Sequence, residues 1–160
     1  MHDDDTPLLD QIERDFAFLA REHGFTVTPR KGDGDVYTVE YRRPDAVVRF
    51  VVRHGEWYIY VLPTMPQFQS EATDFDKVVE YLTQPPIDFA AAMAQPRLSM
   101  SEALTERARQ AEALMDRILA LVAPERWPEV RDDMQAVLSE RSRESHRQFV
   151  EWWRNERAAR

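Results

Sequence analysis

The chain has 160 residues, 31% of them charged, a net charge of −8 and no cysteine. That length fits one domain, or one domain with a helical extension, and the missing cysteines exclude disulfides, thiolate metal sites and a cysteine nucleophile. An acidic balance disfavours non-specific nucleic-acid binding, where phosphate contacts supply most of the affinity. No apolar run approaches the length of a membrane span, and residues 1–20 carry acids where a signal peptide needs basic residues. The expectation is a cytoplasmic protein that binds neither nucleic acid nor membrane.

His2-Asp3-Asp4-Asp5 offers donor types for a divalent ion, but a solvated start is the reading preferred. Thr6 as N-cap and Pro7 at the first position open a helix. Leu9, Ile12, Phe16 and Leu19 give it one apolar stripe, and Gly24 supplies a left-handed cap at its end. Phe25 and Val27 begin a short strand that Pro29 ends, and Lys31–Asp35 reads as a turn. That turn lacks both the ligand spacing of a calcium loop and the glycine spacing of a phosphate loop.

Three β-rich runs follow: Val36–Tyr41, Ala46–Arg53 and Trp57–Leu62. Turn formers separate them, so they read as an antiparallel meander. A two-residue turn at His54-Gly55 pairs Val52 with Trp57, Phe50 with Ile59 and Val48 with Val61. A four-residue loop at 42–45 pairs Tyr41 with Ala46, Val39 with Val48 and Tyr37 with Phe50. Both turns then place Tyr37, Val39, Val48, Phe50, Ile59 and Val61 on one face. The other face collects Val36, Thr38, Arg49, Val51, Tyr58 and Tyr60, with Arg53 and Glu56 at the hairpin tip.

The helix ending F-x-F-L-x-x-E-x-G-F (Phe16 to Phe25), the Tyr-ended strand Val39-Glu40-Tyr41 and the V-V-R-F-V-V…W-Y-I-Y hairpin carry a family resemblance. Over residues 8–62 the chain resembles small uncharacterised bacterial α+β proteins, some of them similar to immunity proteins of polymorphic toxin systems. The resemblance implies an α+β fold and, through the immunity-like members, a protein partner.

Beyond the meander, Thr73 caps a short helix through Leu82, which Gln84-Pro85-Pro86 ends. Ile87–Met93 adds a helical turn or two before Pro96. This proline-punctuated stretch divides an α+β sheet core, residues 1–97, from a helical hairpin extension, residues 98–160, packed on the same domain or on a second subunit. Ser101 is the expected N-cap of a helix along Leu104, Ala108, Ala111, Met115, Ile118 and Val122, closed by Pro124. Trp127-Pro128 starts the next, with Val130, Met134, Val137 and Leu138 as its apolar side. The short link between the two predicts a hairpin. Ser139–Gln148 then has no apolar residue, yet Phe149, Val150, Trp152 and Trp153 follow at once. A helix that becomes polar all round must be held at its far end.

Catalytic signatures are missing. No two of His2, His23, His54 and His146 stand at ligand spacing, and neither a Ser-His-Asp order nor a phosphate loop is visible. Glu102/Glu106 and Asp132/Asp133 read as solvated helix faces. No cofactor is implied. Binding is the favoured class, because Arg49, Arg53, Tyr58 and Tyr60 have the composition of protein–protein hot spots; the plain alternative is that the C-terminal helices cover that face. Phe149, Trp152 and Trp153 are the candidate anchor of a homodimer. The sequence therefore points to α+β architecture: an N-terminal helix on a three- to four-stranded antiparallel meander, then a helical half with a long hairpin. Its favoured function is non-enzymatic protein binding, immunity-like. A small regulatory or nucleotide-binding protein, or an enzyme with a dispersed site, are the other readings.

Overall fold

A computed structural model describes residues 5–64 and 72–158. The elements run α1 (Asp5–Asp15), α2 (Phe18–His23), β1 (Thr26–Val27), β2 (Lys31–Asp33), β3 (Val36–Arg42), β4 (Ala46–Arg53), β5 (Glu56–Pro63) and β6 (Thr73–Asp74). Four helices complete the chain: α3 (Phe75–Thr83), α4 (Phe89–Ala94), α5 (Met100–Leu121) and α6 (Trp127–Ala158). The architecture is α+β.

The meander β3–β4–β5 is the centre of a six-stranded sheet in the order β1-β3-β4-β5-β6, with β2 also pairing β3. At His54-Gly55 the two-residue turn is present, both residues at positive φ (52° and 77°), as a type I′ hairpin turn requires. It fixes Val52 opposite Trp57, Phe50 opposite Ile59 and Val48 opposite Val61. The other connection is tighter than the sequence suggested. Arg43 N–H donates to Ala46 O at 2.9 Å, so the reversal is only Pro44-Asp45, braced by Arg43 on Asp45 at 2.6 Å. The register of β3 thereby moves by two residues: Val39 faces Phe50 and Tyr41 faces Val48. A slip of two leaves every side chain on its expected face, since the side-chain period is also two.

The first face carries the core. Val39, Tyr41, Val48, Phe50, Val52, Ile59 and Val61 are buried in one cluster with Leu9, Ile12, Phe16, Phe18 and Leu19 of the N-terminal helices. The Phe16 and Phe50 rings meet edge-on at 4.5 Å between centroids. Phe75 and Val78 of α3, the Leu104–Ile118 stripe of α5, and Trp127, Val130 and Met134 of α6 belong to the same cluster. Both halves of the chain thus share one core. Gln11, itself buried, fastens α1 to α5: its Nε2 donates to Ser101 O at 2.8 Å and to Thr105 Oγ1 at 3.1 Å.

Several boundaries differ from the sequence reading, each for a local reason. The first helix already includes Asp5, ahead of the expected Thr6 cap. It also breaks at Phe16-Ala17, which lets both Phe16 and Phe18 turn into the core. Lys31–Asp33 is strand, hydrogen-bonded to β3, and only Gly34-Asp35 is turn. Thr73 lies in β6, leaving Asp74 as the N-cap of α3. At α5 the cap is Ser99, not Ser101, because Glu102 stands three residues after Ser99 and closes a capping box with it. α5 and α6 follow one another through the short link expected, and α3 lies against both.

Candidate functional site

Every helix that reaches the sheet joins the first-face cluster, and no residue of the second face belongs to it. The second face of an antiparallel sheet can remain in water, and here it is open at the hairpin end, where Arg53, Glu56 and Tyr58 are exposed, and closed at Glu40, Val47 and Leu62. The two-residue shift in register decides its rows. They are Thr38–Val51–Tyr58, Glu40–Arg49–Tyr60 and Arg42–Val47–Leu62, with Val36–Arg53–Glu56 at the hairpin tip. Arg49, Arg53, Tyr58 and Tyr60 are therefore together on this side. The C-terminal helices do not seal them: Tyr58 is 44% exposed and Arg53 is exposed, while Arg49 and Tyr60 are half-buried.

Glu40 is the residue the sequence reading missed. Strand alternation places it on this face, but a slip of two hides that it faces Arg49. Only 6% exposed, its carboxylate accepts from Arg49 Nε at 2.6 Å through one oxygen and from Arg42 Nε at 2.7 Å through the other. Burial alone pushes such a carboxyl up, yet the two guanidinium hydrogen bonds outweigh it and hold Glu40 below its ordinary value of 4.5. The consequence is geometric. Arg49 and Arg42 are pinned by a shared anion, so the half-buried Arg49 has little rotamer freedom left to lose. Tyr58 is likewise oriented, its hydroxyl donating to Glu56 Oε2 at 2.7 Å. Val47 and Leu62 end the Arg42 row as a small buried apolar patch apart from the main core.

The link between Glu40 and the arginines gives a pH-dependent prediction. A carboxyl held below its unfolded value stabilises the fold above that value, and the contribution is lost as pH falls through the folded value. Glu40→Gln is expected to destabilise the protein by roughly 1–3 kcal/mol at pH 7, the range for charged hydrogen bonds. Urea midpoints of the two proteins should converge as the pH drops below about 4. A gap that persists unchanged at pH 3 would mean that packing, not charge, sets the effect.

The second set of candidates lies at the far end of α6. Beyond Met134 no described residue of this helix is buried. Past the α3 contacts of Arg141 the described residues give it the company of α4, which is capped by Asp88 accepting from Ala91 N–H and also has no buried residue. Phe89 of α4 holds the end: its ring lies 5.3 Å from Phe149 and 5.5 Å from Trp152, and its N–H donates to Gln148 Oε1 at 3.3 Å. The three expected anchor residues thus divide. Phe149 and Trp152 pack within the chain, while Trp153 stands off, 43% exposed, under the Arg157 guanidinium at 4.3 Å. A cleft of about 560 Å³ opens between α3, α4 and α6, lined by Ile87, Phe89, Leu138, Arg141, His146 and Phe149. Arg141 is already engaged there, by Glu80 at 2.8 Å and Pro85 O at 2.6 Å.

The remaining sequence candidates have structural employment. Glu102 belongs to the α5 cap, Glu106 pairs with Arg109, Asp132 with Arg131, and Asp133 accepts from Tyr81. Among the described residues no group of His, Asp and Glu could hold a metal ion, and no helix is long and apolar enough to cross a membrane. Of the His2–Asp5 stretch, the first three residues lie outside the described residues. Compared with protein-family models, with curated proteins and with solved structures, the chain matches none.

Proposed function

We propose that this chain is a non-enzymatic protein-binding protein that neutralises or regulates a protein partner in the cytoplasm by laying the second face of its sheet on it. One observation carries this reading: Arg49, fixed by the buried Glu40, stands opposite Tyr60 and diagonal to Tyr58 on a sheet face that belongs to no core cluster with the described helices. Pre-oriented aromatic and arginine side chains lose little entropy on binding, and they are the side chains enriched at interface hot spots. The immunity-like resemblance over residues 8–62 agrees with such a role. The partner's chemistry follows from charge. Residues 139–160 carry six arginines and four glutamates, so the net −8 of the chain leaves −10 on residues 1–138. A body so acidic steers towards a basic protein. The aromatic end of α6 serves another contact, between copies of the chain.

Site-directed photocrosslinking tests the proposal. With p-benzoylphenylalanine in place of Tyr58, cell extract should yield an adduct with one basic protein. The same probe at Glu112, exposed on α5, should not, and adding Tyr60→Ala should abolish the adduct. Against the purified partner, Tyr58→Ala should weaken binding by more than about 2 kcal/mol without altering thermal stability. Equal adducts from positions 58 and 112, or none from 58, would overturn the assignment of this face.

A further inference from the structure

The α4–α6 arm ends in apolar surface that its own chain leaves uncovered. Phe149 is 39% exposed and Trp153 43%. With side chains of this size offering roughly 150–250 Å² each, the two α6 rings leave roughly 200 Å² of apolar surface open one helical turn apart. Ser142, His146, Phe149 and Trp153 recur at 4-3-4 spacing and are all exposed, so they form one row along α6. Glu156 borders that row three residues past Trp153, and His146 borders it three before Phe149.

We infer that this arm pairs with the same arm of a second copy, antiparallel, about a two-fold axis crossing α6 near residue 151. A closed dimer of identical chains needs a self-complementary patch, because each residue i that meets j is also met by j. The row satisfies that condition. Antiparallel pairing about residue 151 sets Phe149 against the partner copy's Trp153, and His146 against the partner copy's Glu156, each contact occurring twice. The imidazole donates an N–H to the carboxylate, so the apolar centre is closed at both ends by a histidine–glutamate contact. The remaining charges are compatible with close approach. Arg147 is paired with Glu144 within its own helix, Arg157 lies over Trp153, and Glu140, Glu144, Arg147, Glu151 and Arg154 fall on the opposite, water-facing side of α6. Phe149 and Trp153 of the two copies together bring roughly 400 Å² of apolar surface to such a contact, the scale of a small, reversible interface.

Light scattering on the whole chain tests the pairing. At about 100 µM, a concentration well above the micromolar range usual for modest interfaces, the wild type should scatter as twice 18.8 kDa. Trp153→Glu should scatter as a monomer with an unchanged circular dichroism spectrum, and its thermal midpoint should match the wild type's at low concentration, where both are monomeric, since Trp153 is outside the core. Glu156→Arg alone should weaken dimerisation at least tenfold, and His146→Glu combined with Glu156→Arg should restore it. A monomeric wild type at that concentration overturns the inference and leaves the arm to a different protein. A dimer that survives Trp153→Glu places the interface elsewhere. Failure of the double variant to recover rejects the antiparallel register. None of these outcomes depends on the sheet face or its partner.

Discussion

Phe50→Ala is expected to cost about 3–5 kcal/mol, the range for truncating a large buried aromatic. Phe50 is fully buried on the central strand β4, which has a neighbour along both sides. Its ring is edge-on to Phe16 at 4.5 Å and to Tyr41 at 5.7 Å, and such aromatic pairs add to plain burial. The substitution therefore removes the packing that joins the N-terminal helices to the sheet, and the rigid strand beneath cannot collapse into the space. Urea unfolding at pH 7 reads the effect as a lowered midpoint with an unchanged slope. A loss under about 1 kcal/mol would mean that Phe50 is not at the centre of the core.

Trp127 should be nearly as costly to truncate. It is 1% exposed at the first position of α6, where the link from α5 closes through Trp127 N–H donating to Ala123 O at 3.0 Å. Its indole joins the cluster shared by α5 and α6, so Trp127→Ala is expected to lose about 3–5 kcal/mol. Trp127→Phe separates volume from polarity. The indole Nε1 is buried with no hydrogen-bond partner among the described residues, and removing such a donor recovers its desolvation cost. Phenylalanine should accordingly lose clearly less than alanine, because it leaves the smaller cavity and no unpaired donor. Equal losses for the two variants would show that the indole's full width is what the link between the helices requires.

How much of this could be read from residues alone depends on the range of the signal. Face membership in the meander was legible because strand alternation is local and the His54-Gly55 turn fixed one pairing outright. The β3–β4 register was not, because Arg42-Arg43-Pro44-Asp45 fits either a four-residue loop or a two-residue turn. Only the Arg43–Ala46 hydrogen bond and the Arg43–Asp45 pair select the tighter form. That choice is what puts Glu40 opposite Arg49, so the organising carboxylate of the candidate site depends on a two-residue difference that leaves the hydrophobic pattern unchanged. The α5 cap was misplaced for a simpler reason: two serines stand two residues apart, and only Ser99 has a glutamate three residues on. At the end of α6 the need for an anchor was legible in Ser139–Gln148, but its identity was not. Phe89 lies about sixty residues away in a proline-rich stretch that offers no periodicity to read.

The hydrogen bonds from Gln11 to Ser101 and Thr105 reach across 90 residues or more of chain, and this sets an order of events during synthesis. β3, β4 and β5 are joined by two-residue reversals, so their closure entropy is small and they can pair soon after they emerge. The first helix can then settle on β4, but its other side has no partner until α5 has been made. At 5–20 residues per second, the stretch from the end of β5 at Pro63 to the end of α5 at Leu121 takes about 3–12 s. Throughout that interval, the Gln11 amide and the side of α1 that faces α5 are in water. For those seconds the nascent chain presents a half-covered core, and the stability of the α1–β4 contact alone decides whether the first helix stays in place.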